Sequence, residues 1–347
     1  MPIRRRRLRL KQERRPTPDS SSRSTRGTCE ETLNLMSVLL LTHPACLDHE
    51  TGSWHPESPD RLRAVLKALD APEFAALVRE EAPLASDETL SLAHDAAYVK
   101  SVLASIPERG AQALHLDPDT VVSPGSGEAA RRAAGAVVAA VDAVMGGRFD
   151  RAFCAIRPPG HHAEPARPMG FCLFNNVAVG ALHARTVHKV NRIAVVDFDV
   201  HHGNGTQAIF ENDPDLFYGS IHQAPFYPGT GRISERGVAG NIMNIPFGAG
   251  SGGIMVRRAF IERLIPALDE FMPDLLLVSA GFDAHHRDPV GGMDLGTEDF
   301  AWMTKELIEV ARRHCGGRII STLEGGYDLR ALADATASHV HVLMTAP

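Results

Sequence analysis

Asp197, Asp199 and His201 stand two residues apart in the run Asp197-Phe198-Asp199-Val200-His201-His202. On an extended chain that spacing puts all three side chains on one face. A carboxylate beside an imidazole suits zinc, which takes Asp oxygen and His nitrogen near tetrahedral geometry. Asp283 ends a second apolar run, Asp274 to Gly281 followed by Phe282. Two carboxylates and one imidazole leave a coordination position for water, as catalytic zinc requires. The plainer reading of each acid alone is a cap for the helix that follows. Two further segments favour chemistry. Arg157-Pro158-Pro159-Gly160 presents His161 and His162 on a turn, and each imidazole needs a partner to set its tautomer and basicity. Asp197 is the candidate partner for one of them. Glu324-Gly325-Gly326-Tyr327 closes another apolar run; its paired glycines allow close backbone approach and bring a phenol to where a carbonyl oxygen can lie.

These segments need a scaffold that gathers chain ends. Strand-length apolar runs occur at 37–42, 151–156, 192–199, 216–222, 274–281 and 318–324. Helical stretches lie between them. Pro59 to Leu69 carries Leu62, Val65, Leu66 and Leu69 on one face. Ser126 to Met145 reads as a helix with a Ser cap, ended by Gly146-Gly147. Others span about 254–271, with a kink or restart at Pro266, and about 298–314. Near-continuous apolar strands alternating with helices predict a parallel sheet buried on both faces. In such sheets ligands gather beyond the strands' carboxyl ends, where the unusual polar residues fall.

Residues 1–35 hold ten Arg or Lys against four acids, so the remainder of a chain of net charge −6 sums to −12. An acidic body argues against phosphate neutralisation by the catalytic domain, hence against nucleic acid, and fits cationic substrates. The basic, Ser-rich leader 1–35 lacks apolar periodicity and is expected to be disordered. It reads as a dispensable extension, or else as an organellar or nuclear signal; residues 36–347 form one α/β domain. Five scattered cysteines without a C-x-x-C pair point to a reducing cytoplasm, and Ala- and Arg-rich usage fits a bacterial source. No apolar stretch approaches the roughly 20 residues of a membrane span. The oligomeric state is open, a homo-oligomer included.

The motifs together resemble the zinc-dependent histone deacetylase and acetylpolyamine amidohydrolase superfamily. HPESPDR (55–61), RPPGHHA (157–163), GFCLFNN (170–176), DFDVHHGNGT (197–206), FYPGTG (226–231), SAGFDAH (279–285) and LEGGYD (323–328) occur in the family's order across roughly 37–345. The resemblance implies the three-layer arginase/deacetylase-type fold, a central parallel sheet flanked by helices. It makes Asp199, His201 and Asp283 the ligands of one zinc ion, His161 and His162 the catalytic pair with Asp197 and Asn204 as partners, and Tyr327 the electrophile. Gly170, Phe171 and Tyr227 would line an acyl-lysine tunnel, Asp119 (in competition with Asp117) its rim, and Arg61 the foot of an internal channel. A potassium ion would sit on Asp197, Ser220 and Ile221 with the main chain of Asp199 and His201, and a second near Phe210, Asp213, Leu216 and Phe247. Asn204 stands where class I enzymes have Asp, as in class II and bacterial deacetylase-like proteins. Tyr227 replaces a usual phenylalanine.

The implied activity is hydrolysis of acetyl or related acyl groups from lysine in a peptide or protein, by promoted-water attack. Acetylpolyamines or small acylated metabolites are the alternative. An arginase-like two-manganese hydrolase would need acids where Gly203 and His285 stand. A module that binds acyl-lysine without cleaving it would have lost a ligand, a histidine or the tyrosine, and all are present.

Overall fold

The computed structural model describes residues 37–347; the leader 1–35 lies outside them. Its strands are β1 (Val38–Thr42), β2 (Val78–Glu81), β3 (Leu114–His115), β4 (Val121–Val122), β5 (Arg151–Cys154), β6 (Ile193–Asp197), β7 (Leu216–Gln223), β8 (Ile242–Phe247), β9 (Leu275–Ala280) and β10 (Ile319–Leu323). Eight of them form one sheet in the order β2-β1-β5-β10-β9-β6-β7-β8, with every pairing parallel. β3 and β4 make a small antiparallel pair.

The helices are α1 (Pro59–Leu69), α2 (Asp87–Leu90), α3 (Ala96–Ala104), α4 (Ser126–Met145), α5 (Asn176–His188), α6 (Asn204–Phe210), α7 (Gly253–Ala259), α8 (Ile265–Phe271), α9 (Thr297–His314) and α10 (Leu329–Thr345). One row is α1, α10 and α9; α4 and α5 make another. With the sheet between them these rows give the three-layer α/β fold read from the sequence. Every residue of β5, β6, β9 and β10 is buried, which is why their sequences are apolar without alternation.

The two edge strands escaped the apolar reading for one physical reason. An edge strand has a solvated side, so it tolerates polar residues and proline. β2 is Val-Arg-Glu-Glu and mostly exposed; β8 carries Asn244 and Pro246. The expected Ser cap of α4 is corrected. Gly125 is the capping residue and Ser126 the first helical one; the Ser126 hydroxyl contacts His49 Nδ1 and accepts from the Ser123 amide instead. Pro266 restarts its helix as expected, after a π-helical turn over Phe260–Leu264, where the bond missing at proline is absorbed.

The sheet order brings together what the chain order separates. β5, β10, β9 and β6 are consecutive neighbours, so their carboxyl ends place residues 157–162, 324–327, 281–283 and 197–201 along one rim. Beneath that rim lies a buried ion cluster. Glu57 accepts from Arg61 Nη1 at 3.0 Å and from Arg157 at both carboxylate oxygens, and all three side chains are fully buried. Arg157 also donates to the carbonyls of Cys46 and His49, and Arg61 to those of Gly326 and Glu324. One carboxylate thereby ties the 43–58 loop, α1 and the ends of β5 and β10.

Burial works against the Glu57 charge, but Arg157 and Arg61 outweigh it and hold the carboxyl at about 2 against 4.5. A depressed carboxyl stabilises the fold fully above its unfolded pKa and loses that contribution as pH falls through the folded one. Acid unfolding should therefore show this loss between about 4.5 and about 2. Glu57→Gln should cost about 3–5 kcal/mol in urea denaturation at neutral pH, the price of two buried guanidinium groups left unpaired. It should also flatten that part of the acid profile; wild-type stability would show that the cluster is not a keystone.

Candidate active site and metal centre

Beyond the end of β6 the backbone curls so that Asp199, His201 and Asp283 converge. All three are buried, and one donor atom from each lies within 4.8 Å of the others. His201 Nδ1 stands 3.0 Å from Asp199 Oδ1 and 3.2 Å from Asp283 Oδ2. Three main-chain amides fix the carboxylates: Gly325 donates to Asp199 Oδ2 at 2.8 Å, His201 to Asp199 Oδ1 at 2.9 Å and Val200 to Asp283 Oδ1 at 2.8 Å. Asp283 Oδ2 is left buried with no hydrogen-bond partner. An orphaned buried carboxylate oxygen aimed at a second carboxylate and an imidazole is the donor set of a divalent cation.

The electrostatics agree. Burial and the neighbouring Asp199 charge lift the Asp283 carboxyl to about 7. Against the pull of burial, Asp199 and Asp283 raise the His201 imidazole to about 10. Gly325 makes the approach possible. A Cβ there would lie 2.1 Å from Asp283 Oδ2 and 2.5 Å from Asp199 Oδ2.

His161 and His162 lie with ring centroids 4.0 Å apart, tilted by 45°, and both are buried. Their partners differ. His161 Nδ1 is 3.0 Å from Asp197 Oδ2, which also accepts from the Tyr218 hydroxyl. His162 Nδ1 is 2.8 Å from Asn204 Oδ1. Burial disfavours the His161 cation, yet Asp199 and Asp197 raise it to about 10. Burial, then the charges of His161 and His201, push His162 far below the ordinary imidazole value. Two adjacent residues of one type are thus pushed in opposite directions.

The pair opens onto a cavity of about 170 Å³. Phe171, Tyr227, Gly170, Asp119 and Tyr327 from the sequence reading line it, together with Pro159, Phe226, Val290 and Gly325. Gly170 has φ of 56° and Phe171 of 69°, a left-handed turn that is costly at phenylalanine. A Cβ on Gly170 would meet the His162 ring at 2.4 Å, so the glycine is required by the histidine. Phe171 then stands edge-on to His55 and to Tyr327. Asp117 and Asp119 separate cleanly. Asp117 Oδ1 accepts from the amides of Asp119 and Thr120 and holds the turn, while Asp119 lines the cavity.

Arg61 is not among the residues lining this cavity. It lies under Tyr327, its guanidinium 4.8 Å from the ring centroid. Asp197 and Ser220 are register partners across β6 and β7, with Ile221 the next residue of β7. The oxygens of both side chains already take part in hydrogen bonds: Asp197 accepts from Asp199 N, His161 and Tyr218, and Ser220 pairs with His222. At the second potassium position, the carbonyls of Phe210, Asp213 and Leu216 converge at 2.8–3.0 Å on Nδ2 of Asn241. Phe247 ends β8 elsewhere, its carbonyl accepting from Ala224.

The sequence reading missed four supports. Glu164 accepts from Asn204 Nδ2 at 2.7 Å, which fixes the amide so that its oxygen faces His162. Glu324 accepts from the amides of Gly160 and His161. Asp288 accepts from those of Tyr327 and Asp328. Phe226 stacks on His201 at 5.2 Å. Glu164, Glu324 and Phe226 sat inside or beside the quoted motifs, so adjacency was an available signal. Asp288 carried none.

Residues 55–343 match the family model described as the histone deacetylase domain. Histone deacetylase 14, chloroplastic, of Arabidopsis thaliana is 38% identical over 330 residues, covering 88% of this chain and 76% of that protein. Polyamine deacetylase HDAC10 of Homo sapiens is 39% identical over 305 residues, covering 84% and 45% respectively. The crystal structure of the HDA15 HD domain superposes with a TM-score of 0.84 at 34% identity, covering 89% of each chain.

Gly325→Ala tests the cluster as a cation site without reference to turnover. The added methyl must displace both carboxylates, so equilibrium dialysis should find divalent zinc bound at least about 10-fold more weakly, the scale on which misplaced ligand support acts. Unchanged affinity in the folded variant would move the ion elsewhere.

Proposed function

The chain belongs to the histone deacetylase family, and on that footing we propose that it removes acetyl groups from lysine side chains using one zinc ion held by Asp199, His201 and Asp283. The observation that carries this reading is the orphaned Asp283 oxygen facing Asp199 and His201, at the base of a cavity lined by both tandem histidines and a tyrosine. The residues fit the ion in type, number and burial. When bound, zinc acidifies water and polarises the amide carbonyl.

The protein's own groups do the rest. His162, neutral and with Nδ1 engaged by Asn204, offers Nε2 as the base that takes the proton of the attacking water. The water oxygen adds to the carbonyl carbon, the carbon–nitrogen bond breaks, and the proton passes to the leaving amine. His161, cationic beside Asp197, supplies positive charge to the developing oxyanion and can serve as acid. Tyr327 donates a hydrogen bond to that oxyanion. Its phenol is kept protonated, since burial pushes it well above the ordinary tyrosine range.

The cavity is smaller than the roughly 300–1,000 Å³ of small-molecule pockets, which suits a slender unbranched chain. Phe171, Tyr227 and Phe226 give such a chain apolar walls. Acetylated lysine in a peptide or protein is the preferred substrate, and an acetylpolyamine is the second reading, favoured by the same narrowness and by the acidic body. A potassium ion at Asp197, Ser220 and Ile221 rests on the family resemblance alone. The two-manganese reading loses ground. Gly203 has no room for a side chain beside Asp197, and His285 faces Arg287 and Thr297. A cytoplasmic location is our reading, supported by the free thiols of Cys46, Cys154, Cys172 and Cys315. Residues 1–35 are read as dispensable for turnover.

Parallel assays on acetyl-lysine peptides, longer acyl-lysines and acetylpolyamines decide the substrate; no turnover of any by zinc-loaded protein would defeat the reading. Tyr327→Phe should retain zinc and lose on the order of 100-fold in kcat, the usual effect of removing an oxyanion donor. Wild-type rates would remove that role. Glu164→Ala removes the acceptor that holds the Asn204 nitrogen, and kcat should fall on the order of 10-fold with KM unchanged, part of the 10²–10⁴ that a positioned base contributes. Glu164→Asp should recover part of it; equal rates in all three proteins would leave Glu164 without a positioning role.

A further inference from the structure

Among the described residues one other group of three metal-ligating side chains converges, far from the cavity: Asp142 of α4 with His183 and His188 of α5. Both imidazole Nε2 atoms stand 2.7 Å from the same oxygen, Asp142 Oδ1, with ring centroids 5.9 Å apart. The His183 and His188 side chains are 12% and 23% exposed and Asp142 is 51% exposed. Solvent can therefore deliver an ion, while the rings are held by packing.

The surroundings favour a cation. Asp142 lies in the last turn of α4, which has no basic residue, and His188 is the last residue of α5. Two helix carboxyl ends meet here, each a partial negative charge. The nearby cations are engaged elsewhere: Arg185 with Asp213 and the Asn191 carbonyl, and Lys189 with the Thr186 carbonyl. Asp142 pairs with no Arg or Lys among the described ion pairs, only with the two histidines.

We propose that Asp142, His183 and His188 form a second, peripheral site for a divalent transition-metal ion such as zinc or nickel. Two imidazoles and one carboxylate match that class and disfavour calcium and magnesium, which want oxygen donors. Bonds of about 2.0–2.1 Å at tetrahedral angles separate donors by about 3.3 Å. The two 2.7 Å contacts must open by roughly 0.6 Å, a side-chain adjustment at an exposed site. The remaining coordination position is left for water or a donor from another molecule.

The ion would clamp α4 to α5. That matters because the other end of α5 supports the histidine turn. Asn175 Nδ2 donates to the Ala163 carbonyl and Asn176 Nδ2 to that of Pro158. A helix of this length is about 20 Å long, so the clamp acts on stability and not on the chemistry.

The inference is independent of the catalytic reading and is tested on the untagged full chain. Protein carrying one zinc per chain is dialysed against nickel, metals are counted by atomic emission, and thermal unfolding is followed with and without nickel. Wild type should take up a further equivalent and melt higher. His183→Gln with His188→Gln should lose both effects and keep wild-type turnover and nickel-free melting. His188→Gln alone should bind nickel at least about 10-fold more weakly, as loss of a ligand requires at minimum. Asp199→Ala should lose the catalytic equivalent and retain the peripheral one. No uptake beyond the catalytic ion, or equal uptake by the double variant, overturns the proposal.

Discussion

Two carboxylates, Asp199 and Asp283, are held side by side in a buried pocket with one imidazole between them. Much of the site follows from that crowding. Burying one unpaired carboxylate is costly, and burying two that face each other is costlier still. The chain meets the demand from three directions. Main-chain amides of Val200, His201 and Gly325 point at the oxygens, His161 leans in with Nε2 3.8 Å from Asp199 Oδ1, and His201 Nδ1 lies 3.2 Å from the remaining oxygen, Asp283 Oδ2. Side-chain bulk is excluded to allow it. At both Gly281 and Gly325 a Cβ would fall within about 2.5 Å of a carboxylate oxygen, so the chain is glycine just beyond β9 and β10 because a side chain would collide with the acids.

The same field divides the tandem histidines. His161 is nearer to the acids and shares Asp197 with Tyr218, so it keeps its proton. His162 is backed by an amide instead of a carboxylate and is buried beside His161, so its cationic form is disfavoured. An amide can turn to present either atom, and Glu164 prevents that by accepting from its nitrogen. The negative charge that class I sequences place next to the second histidine is here moved one group outward. It fixes the amide that faces His162 without touching the imidazole itself.

Much of this was legible in the sequence because strand ends and turns follow local rules. The six apolar runs all became strands, and the four that carry site residues became consecutive neighbours. The α/β reading and the family resemblance both hold. What was not legible depends on solvent or on distant packing. β2 and β8 are edges whose polar and proline residues hide them from an apolar scan. Ser126 looks like a cap in the chain and is a buried link to His49 in space. Glu57 reaches Arg157, and Glu324 and Asp288 reach backbone amides, each more than 35 residues away, and spacing does not encode such partners. Gly170 was read as a lining residue, whereas its deeper constraint is the face of the His162 ring.

The narrow cavity locates the substrate question. An acetylated lysine and an acetylated polyamine have the same terminus: an acyl group, an amide and a thin methylene chain. Within about 170 Å³ the walls cannot distinguish them, because the difference begins where the chain leaves the mouth. The groups there are Asp119 and Tyr227, with His55 braced between Phe171 and the Asp119 carbonyl. Burial and the neighbouring Asp117 raise the Asp119 carboxyl above its ordinary range, a sign that it lacks a cation of its own. A carboxylate in that position can accept from a peptide amide or from a secondary ammonium, but only the ammonium also brings charge. Salt sensitivity of KM therefore separates the classes: attraction to a polyamine is weakened by ionic strength, and a neutral peptide flank is indifferent to it.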